Sequence, residues 1–475
     1  MIWRTPMQQF IPDPKRWAAL ALLCAAQFIV ILDTSIIGVA LPAMQRDLGF
    51  SASGLSWIFN AYVIAFGGLL LLGGRLGDLL GARRIFTGGF AILTAASLLA
   101  GLAHSQEMLL AGRALQGVGA ALIAPSALTI IMRLFGHDGA ELGKAFGFWG
   151  AAAAAGGSAG VFLGGVITEW MAWQWTFLIN VPLGLLVLAL IPAVLRKSAR
   201  SSGAIDWFGA ISVTGALVGL VYAIVTIESA GFGSVPILPI SAGLFAVFLI
   251  SQFVRREPLL PLGIFKARNL AAGNVVMALL GAAWIPLWFF LNLYLQQILG
   301  LSALASGLAL LPMTMTIMVV MVGFSGKLIG RFGVKSNLVL GLFLMAGALL
   351  MFAKLPLNGS YVTHVLPASM LAALGMALAY IPTTMTGMAG ARPEETGLAS
   401  GLINTSYQIG SAIGLAIMVV LSTFGIGHGT GHTAEGMLAG FQAAFLGAGV
   451  AAGLAAFAAL VFVGSAGPQR EVAAG

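Results

Sequence analysis

GRLGDLLGAR, residues Gly74–Arg83, returns in the second half of the chain as GKLIGRFGVK, Gly326–Lys335. The copy keeps Gly74 as Gly326, Leu76 as Leu328, Gly81 as Gly333 and a basic residue at each end, and puts Gly330 where Asp78 stood. Two further segments recur in the same order at nearly the same offset. LGFSASGL (Leu48–Leu55) returns as LGLSALASGL (Leu299–Leu308). ELGKAFG (Glu141–Gly147) returns as ETGLASG (Glu395–Gly401), keeping Glu-x-Gly-x-Ala-x-Gly. Three collinear matches mark a duplicated unit rather than chance similarity among glycine-rich helices.

The composition says what is duplicated. Hydrophobic residues make up 59% of the 475 and charged residues 8%, with a mean hydropathy of +1.01. Soluble domains carry about 25% charged residues. Twenty-three basic and fifteen acidic side chains are too few to clothe a soluble surface. Intrinsic disorder, a secreted disulfide scaffold and a soluble enzyme are excluded, and an integral membrane protein is left. Cys24 is the single cysteine, so no internal disulfide can form. The opening MIWRTPMQQFIPDPKRW is polar and runs into the first apolar stretch without a small-residue cleavage site, so no removable signal peptide is expected.

A bilayer core of about 30 Å takes about 20 apolar residues per helix. The apolar runs are continuous rather than alternating, which selects helices over a closed barrel. Fourteen spans are expected, near 17–41, 53–73, 85–103, 107–132, 145–168, 176–195, 207–228, 237–254, 271–295, 303–325, 337–355, 364–390, 399–424 and 437–464. With the N-terminus inside, 20 of the 23 Lys and Arg fall on cytoplasmic segments, as the positive-inside rule requires. Arg46 and Lys354 fall outside, and Arg113 lies within a span. Both termini are expected in the cytoplasm. The net charge of +8 is therefore a topology signal, not a nucleic-acid surface.

Spans 1–6 match spans 9–14, and spans 7–8 are inserted between them. The expected fold is all-α and membrane-integral: a six-helix bundle (1–195), two inserted helices with their linkers (196–270) and a second six-helix bundle (271–475). Two like-oriented bundles with a site between them near the midplane is the architecture of a rocking transporter.

Few residues within the spans carry chemistry. Asp33 sits in an apolar helix, where an ionisable group costs about 2.5–3.5 kcal/mol on insertion scales. Burial and a neighbouring cation act oppositely on a carboxyl group's proton affinity, which makes Asp33 the leading candidate for a proton or cation site; a packing ion pair is the alternative. Arg113 is the basic residue deep in a span. Glu228, at the outer end of span 7, is a possible anion for a substrate cation or an interfacial carboxylate in water. Pro286, Pro312 and Pro382 interrupt core helices as candidate hinges.

The chain resembles the major facilitator superfamily, in particular its fourteen-span drug:proton antiporter branch. LDTSIIGVALP (Leu32–Pro42) resembles the branch's first-helix motif, and WQWTFLINVPLG (Trp173–Gly184) and INTSYQIGSAIGLAI (Ile403–Ile417) resemble its stretches in spans 6 and 13. Gly74-x-Leu76-x-Asp78-x-x-Gly81-x-Arg83-Arg84 resembles the superfamily's loop 2–3 signature. That likeness implies a conformational latch formed by Gly74, Asp78, Gly81, Arg83 and Arg84, with a carboxylate expected at the N-terminus of span 11 around Ser336–Asn337. Arg113-x-x-Gln116-Gly117-x-Gly119 resembles the fourth-helix motif of proton-coupled members, which implies that Arg113 and Gln116 work with Asp33 in proton coupling. The fifth-helix antiporter motif is matched by Gly147, Gly156, Gly160, Gly164 and Gly165, and implies a packing seam between spans 5 and 8. Val161 stands where the motif usually has proline, so antiport and symport both stay open.

No G-x-x-x-x-G-K-[ST] loop occurs, so no ATP is expected as energy source. His428 and His432 have metal-ligand spacing but lie in a glycine-rich outer loop without a third ligand, so no metal is expected. The expected function is proton-coupled export of small hydrophobic or cationic drugs across a bacterial cytoplasmic (inner) membrane. It would need no cofactor beyond the proton gradient, no nucleic acid and no partner but lipid, and the chain is expected to be a monomer. Dedicated export of one metabolite or self-made antibiotic is the alternative. A membrane-embedded enzyme or a receptor fits poorly, because only Asp33 and Arg113 offer chemistry within the spans.

Overall fold

The computed structural model describes residues 13–50, 52–197, 206–230, 237–255, 258, 260, 262–392, 395–425 and 433–464. Among these the chain is all-helical. In the first half α1 (Arg16–Ser35), α2 (Ile37–Leu48), α3 (Ala52–Leu80), α4 (Ala82–Gly101), α5 (Gln106–Phe135), α6 (Gly139–Trp170), α7 (Trp175–Leu178) and α8 (Asn180–Val194) follow one another. Then come α9 (Trp207–Ala230) and α10 (Ile237–Val254), and in the second half α11 (Arg268–Leu293), α12 (Ala303–Gly323), α13 (Ser325–Phe352), α14 (Leu366–Met388), α15 (Thr396–Gly425) and α16 (Ala434–Phe462). Thirteen helices of the described residues are long and apolar enough to cross a membrane. The 24-residue α9 makes the fourteenth. Span 1 is α1 with α2, span 6 is α7 with α8, and each other span is one helix.

The expected loops between spans 2 and 3 and between spans 10 and 11 are not loops. α3 runs through Asp78 to Leu80, and α4 starts at Ala82. The turn rests on Gly81 alone, at φ +95°, a backbone setting that glycine reaches without a Cβ clash. In the second copy the helix is already under way at Ser325 and breaks at Gly333, with φ 78° and ψ 167°. Span 11 therefore starts earlier than the expected residue 337. Gly81 and Gly333 are the same position of the repeat, and both hold positive φ. The duplication is thus visible in the backbone as well as in the letters.

The two bundles meet along two seams, α3 with α15 and α6 with α12. The repeat maps α3 onto α12 and α6 onto α15, so each seam is the other's symmetry counterpart. Both are tight toward the N-terminal ends of α15 and α6. A Cβ on Gly74 would collide with the Gly397 carbonyl, and one on Gly147 with the Met321 carbonyl. Further out, Ser158 Oγ donates to Thr314 Oγ1 at 2.6 Å.

The inserted pair lies against α3 through α9. Thr214 Oγ1 donates to the Gly68 carbonyl at 2.8 Å, and the Trp57 and Tyr222 rings lie 5.3 Å apart. At one end Asp206 pins the pair: it accepts from Gly209 N at 2.8 Å and Gln252 Nε2 at 3.3 Å, and pairs with Arg255 at 3.0 Å. Through it the start of α9 is tied to the end of α10.

Candidate functional site

Five elements of the first bundle converge on Asp33, which is fully buried near the end of α1. Arg113 lies in the second turn of α5, after a helix start capped by Ser105. Gln116, three residues on, points the same way, as i, i+3 neighbours do. Arg113 Nη1 donates to Asp33 Oδ2 at 2.8 Å and to Gln116 Oε1 at 2.8 Å. Gln116 Nε2 donates to Asp33 Oδ1 at 2.7 Å and to Ser97 Oγ of α4 at 2.9 Å. Asn180, the first residue of α8, donates to Asp33 Oδ1 at 2.6 Å. α3 supplies the Ile58 carbonyl, which accepts from Arg113 Nε at 2.9 Å, and the Tyr62 ring, 4.5 Å from the guanidinium carbon.

Arg113 and Gln116 are as buried as Asp33, at 0% exposure, and Asn180 is at 1%. Taking a lone charge out of water costs several kcal/mol, so such a pair persists only with good geometry and satisfied hydrogen bonds. Here the carboxylate accepts three bonds, all from donors, which is the environment of an ionised acid. A proton arriving on Asp33 cancels half of the ion pair and leaves Arg113 charged, over Tyr62 and 5.9 Å from the Phe177 ring. The family resemblance brought Asp33, Arg113 and Gln116 together, through its first- and fourth-helix motifs. Asn180, Ser97 and Tyr62 escaped it, although a lone amide in the apolar run TFLINVPLG was a usable signal.

The expected latch residues gather where the end of α3 meets the start of α15. Asp78 is 2% exposed; its Oδ1 accepts from Gly397 N at 2.8 Å and its Oδ2 from Leu398 N at 2.9 Å. The contact expected at Ser336–Asn337 of span 11 is therefore made two spans later, at the start of α15. The shift has a topological cause: with spans 7–8 inserted, the partner of span 2 across the two-fold is span 13. Asn337 instead turns back on its own helix, donating to the Leu328 and Gly333 carbonyls. Close by, Ser400 Oγ donates to the Pro125 carbonyl of α5 at 3.0 Å, a further bond between the halves. Gly81 forms the turn, and its carbonyl accepts from Arg84 N at 3.0 Å. Arg83 is half-buried and Arg84 exposed.

The glycine series of α6 also lies elsewhere than expected. Gly156, Gly160 and Gly164 abut Phe28, Ser35 and Ile36 on α1 and α2, where a Cβ would meet backbone, while Gly147 meets α12. The partners are spans 1 and 10, not span 8, for the same reason as at the latch. Gly165 offers its carbonyl to Thr168 Oγ1. α6 runs unbroken through Val161, whose side chain is outside the described residues, as is that of Glu228 near the end of α9. His428 and His432 also lie outside them. Pro286, Pro312 and Pro382 sit inside continuous helices.

Residues 23–415 match the family model described as Major Facilitator Superfamily. The puromycin resistance protein pur8 of Streptomyces alboniger is 38% identical over 419 residues, 87% of this chain and 83% of the relative. The cephamycin export protein CmcT of Amycolatopsis lactamdurans is 37% identical over 414 residues, 86% of this chain and 85% of the relative. Among solved structures, the human organic anion transporter MFSD10 (TETRAN) superposes with a TM-score of 0.68 over 94% of this chain and 100% of its own, at 15% identity. That last likeness speaks for the fold alone.

Proposed function

The chain belongs to the Major Facilitator Superfamily, and from that premise we propose that it exports small lipophilic or cationic drugs from the cell in exchange for protons carried by Asp33. The family makes it a multi-pass membrane transporter of small molecules. The observation that carries the proton reading is the buried Asp33–Arg113 pair, 2.8 Å long and 0% exposed on both sides. Nothing about packing alone calls for two charges in the middle of a lipid-embedded bundle.

The proposed cycle follows from the contacts. In the state seen here the bundles are held together on the cytoplasmic side by Asp78 and by Ser400. Asp33 stands on α1 between residues that α6 touches, Phe28 on one side and Ser35 and Ile36 on the other. α6 in turn touches α12 of the other bundle through Gly147 and Ser158. Protonation of Asp33 frees Arg113 and loosens α1 in its bed on α6, and the same helix relays the change to the seam. The proposed setting is a bacterial inner membrane with both termini in the cytoplasm.

A second reading is favoured by the relatives' names: export of one particular antibiotic, as the cephamycin export protein and the tetracenomycin C resistance and export protein of Streptomyces glaucescens are described. Proteoliposomes loaded with a pH dye and given ethidium separate the two. Ethidium-driven proton release that disappears in Asp33→Asn supports drug:proton antiport. Undiminished release in the mutant would remove Asp33 from the mechanism. Silence of the intact protein toward ethidium, with a response to a single antibiotic, would select the dedicated exporter.

A further inference from the structure

Two amides donate to the same oxygen of Asp33, Gln116 at 2.7 Å and Asn180 at 2.6 Å. They differ at their other ends. Gln116 is tied on both sides, its Oε1 accepting from Arg113 and its Nε2 also donating to Ser97. Asn180 Oδ1 is buried and has no hydrogen-bond partner.

That difference matters once Asp33 takes a proton. A neutral carboxylic acid carries an O–H that needs an acceptor, and a buried donor left without one is destabilising. Around Asp33 acceptors within hydrogen-bond reach are few: Tyr62 Oη is buried nearby but bonds to nothing, Asp33 included. The guanidinium of Arg113 has no lone pair. The one oxygen of Gln116 is held by Arg113, and turning Gln116 over would break three bonds. Turning the Asn180 amide about its last torsion breaks one bond, leaves its outline unchanged and brings Oδ1 to where Nδ2 was. Which way an amide points follows from its hydrogen-bond partners, so the two orientations of Asn180 match the two protonation states of Asp33.

We infer that Asn180 is the positioning residue for the protonated state of Asp33: its amide donates to the carboxylate and, turned over, accepts from the acid. The inference rests on Asp33 being the proton carrier. The titratable and charged groups facing Asp33 are Arg113 from α5 and Tyr62 from α3. α4 and α8 present Ser97 and Asn180, and α6 presents glycines along this stretch of α1. With the acid proton satisfied locally by Asn180, the effect of protonation falls on Arg113, which loses its counter-charge.

The test compares Asn180→Leu and Asn180→Ser with the intact full-length protein in proteoliposomes, reading ethidium-driven proton release as a function of pH. Leucine removes one donor of three from the carboxylate but the available acceptor from the acid. The profile of Asn180→Leu is therefore expected to move to lower pH by about one unit, a tenfold higher proton concentration for the same rate. Serine, whose hydroxyl both donates and accepts, should restore at least half of the shift. A rate lowered equally at every pH would mean a packing role, a shift to higher pH a donor-only role, and an unmoved profile no role; each overturns the inference.

Infrared difference spectra between acid and neutral pH give a readout that needs no transported compound. The acid carbonyl band that disappears in Asp33→Asn must change frequency in Asn180→Leu, and an unshifted band overturns the inference. Absence of any Asp33-dependent acid band would bring down the proton-carrier reading itself, and this inference with it.

Discussion

Asp78 Oδ1 lies 2.8 Å from the backbone nitrogen of Gly397, so a side chain of one bundle serves as N-terminal cap to a helix of the other. The next amide, Leu398 N, is taken by Oδ2 at 2.9 Å. Hydrogen bonding and the partial positive charge of a helix N-terminus act together here, and the arrangement ties the end of α3 to the start of α15.

Replacing Asp78 by Asn keeps one acceptor and loses the charge. The closed state should weaken by about 1–2 kcal/mol. Spin labels at the exposed positions Arg84 and Arg331, in a background where the single cysteine Cys24 is serine, report it as a second, longer distance. A distribution identical to that of the labelled parent would refute the latch.

Glu395, three residues beyond Arg392 and just before α15, pairs with it at 2.6 Å. The hydrogen bond from Arg392 holds this carboxyl below its usual range. A depressed acid adds stability above its unfolded value of about 4.3, and that stability is lost only as pH falls through the lower folded value. Between about pH 5 and 8 the contribution is constant, and small because the Arg392 side chain is largely open to solvent. Glu395→Gln should thus leave the pH profile of transport unmoved across that window. A shifted profile would show that Glu395 takes part in coupling.

Arg113→Leu leaves Asp33 as a buried charge without its cation and should lower stability by about 3–5 kcal/mol. Adding Asp33→Asn should recover much of the loss, because the orphaned charge is gone. Thermal unfolding of both single mutants and the double mutant measures the coupling. Additive losses would mean that the two side chains do not depend on one another.

Two neighbouring glycines of α6 make opposite demands. A Cβ on Gly160 would run into Ser35 and the Ile36 backbone, whereas one on Gly157 would find its nearest atoms at 3.8 and 3.9 Å, ordinary contact. Gly160→Ala should cost about 1–3 kcal/mol through overpacking and depress transport. Gly157→Ala should be neutral or gain up to about 1 kcal/mol from helix propensity. Equal effects in thermal unfolding would contradict a close α1–α6 seam.

Much of this was legible in the sequence. Apolar run length gave the number of spans, since span length follows from the bilayer itself. Asp33 and Arg113 stood out because charged side chains are rare in spans, and Gln116 because it falls in the motif that resembles the family's fourth helix. The partners across the seams were misplaced by two spans, at Gly397 and at Met321. Sequence order does not reveal which helices face each other once spans 7–8 are inserted between the halves. The helical state of Gly74–Leu80 was hidden as well, because charge and glycine look the same in a loop and in a helix that overshoots the membrane. Asn180 was missed because one amide weighs little against a charge.

The N-terminal caps of α15 and α6 are built differently. α6 carries its own: Asp138, just ahead of it, accepts from Ala140 N and Glu141 N, and Gly330, standing where the repeat's first copy has Asp78, withdraws nothing when the bundles part. α15 borrows its cap from across the divide and is stripped of it on opening. The two corners, equivalent by descent, are therefore built unequally: were the bundles to part here, α15 would lose its cap and α6 would keep its own.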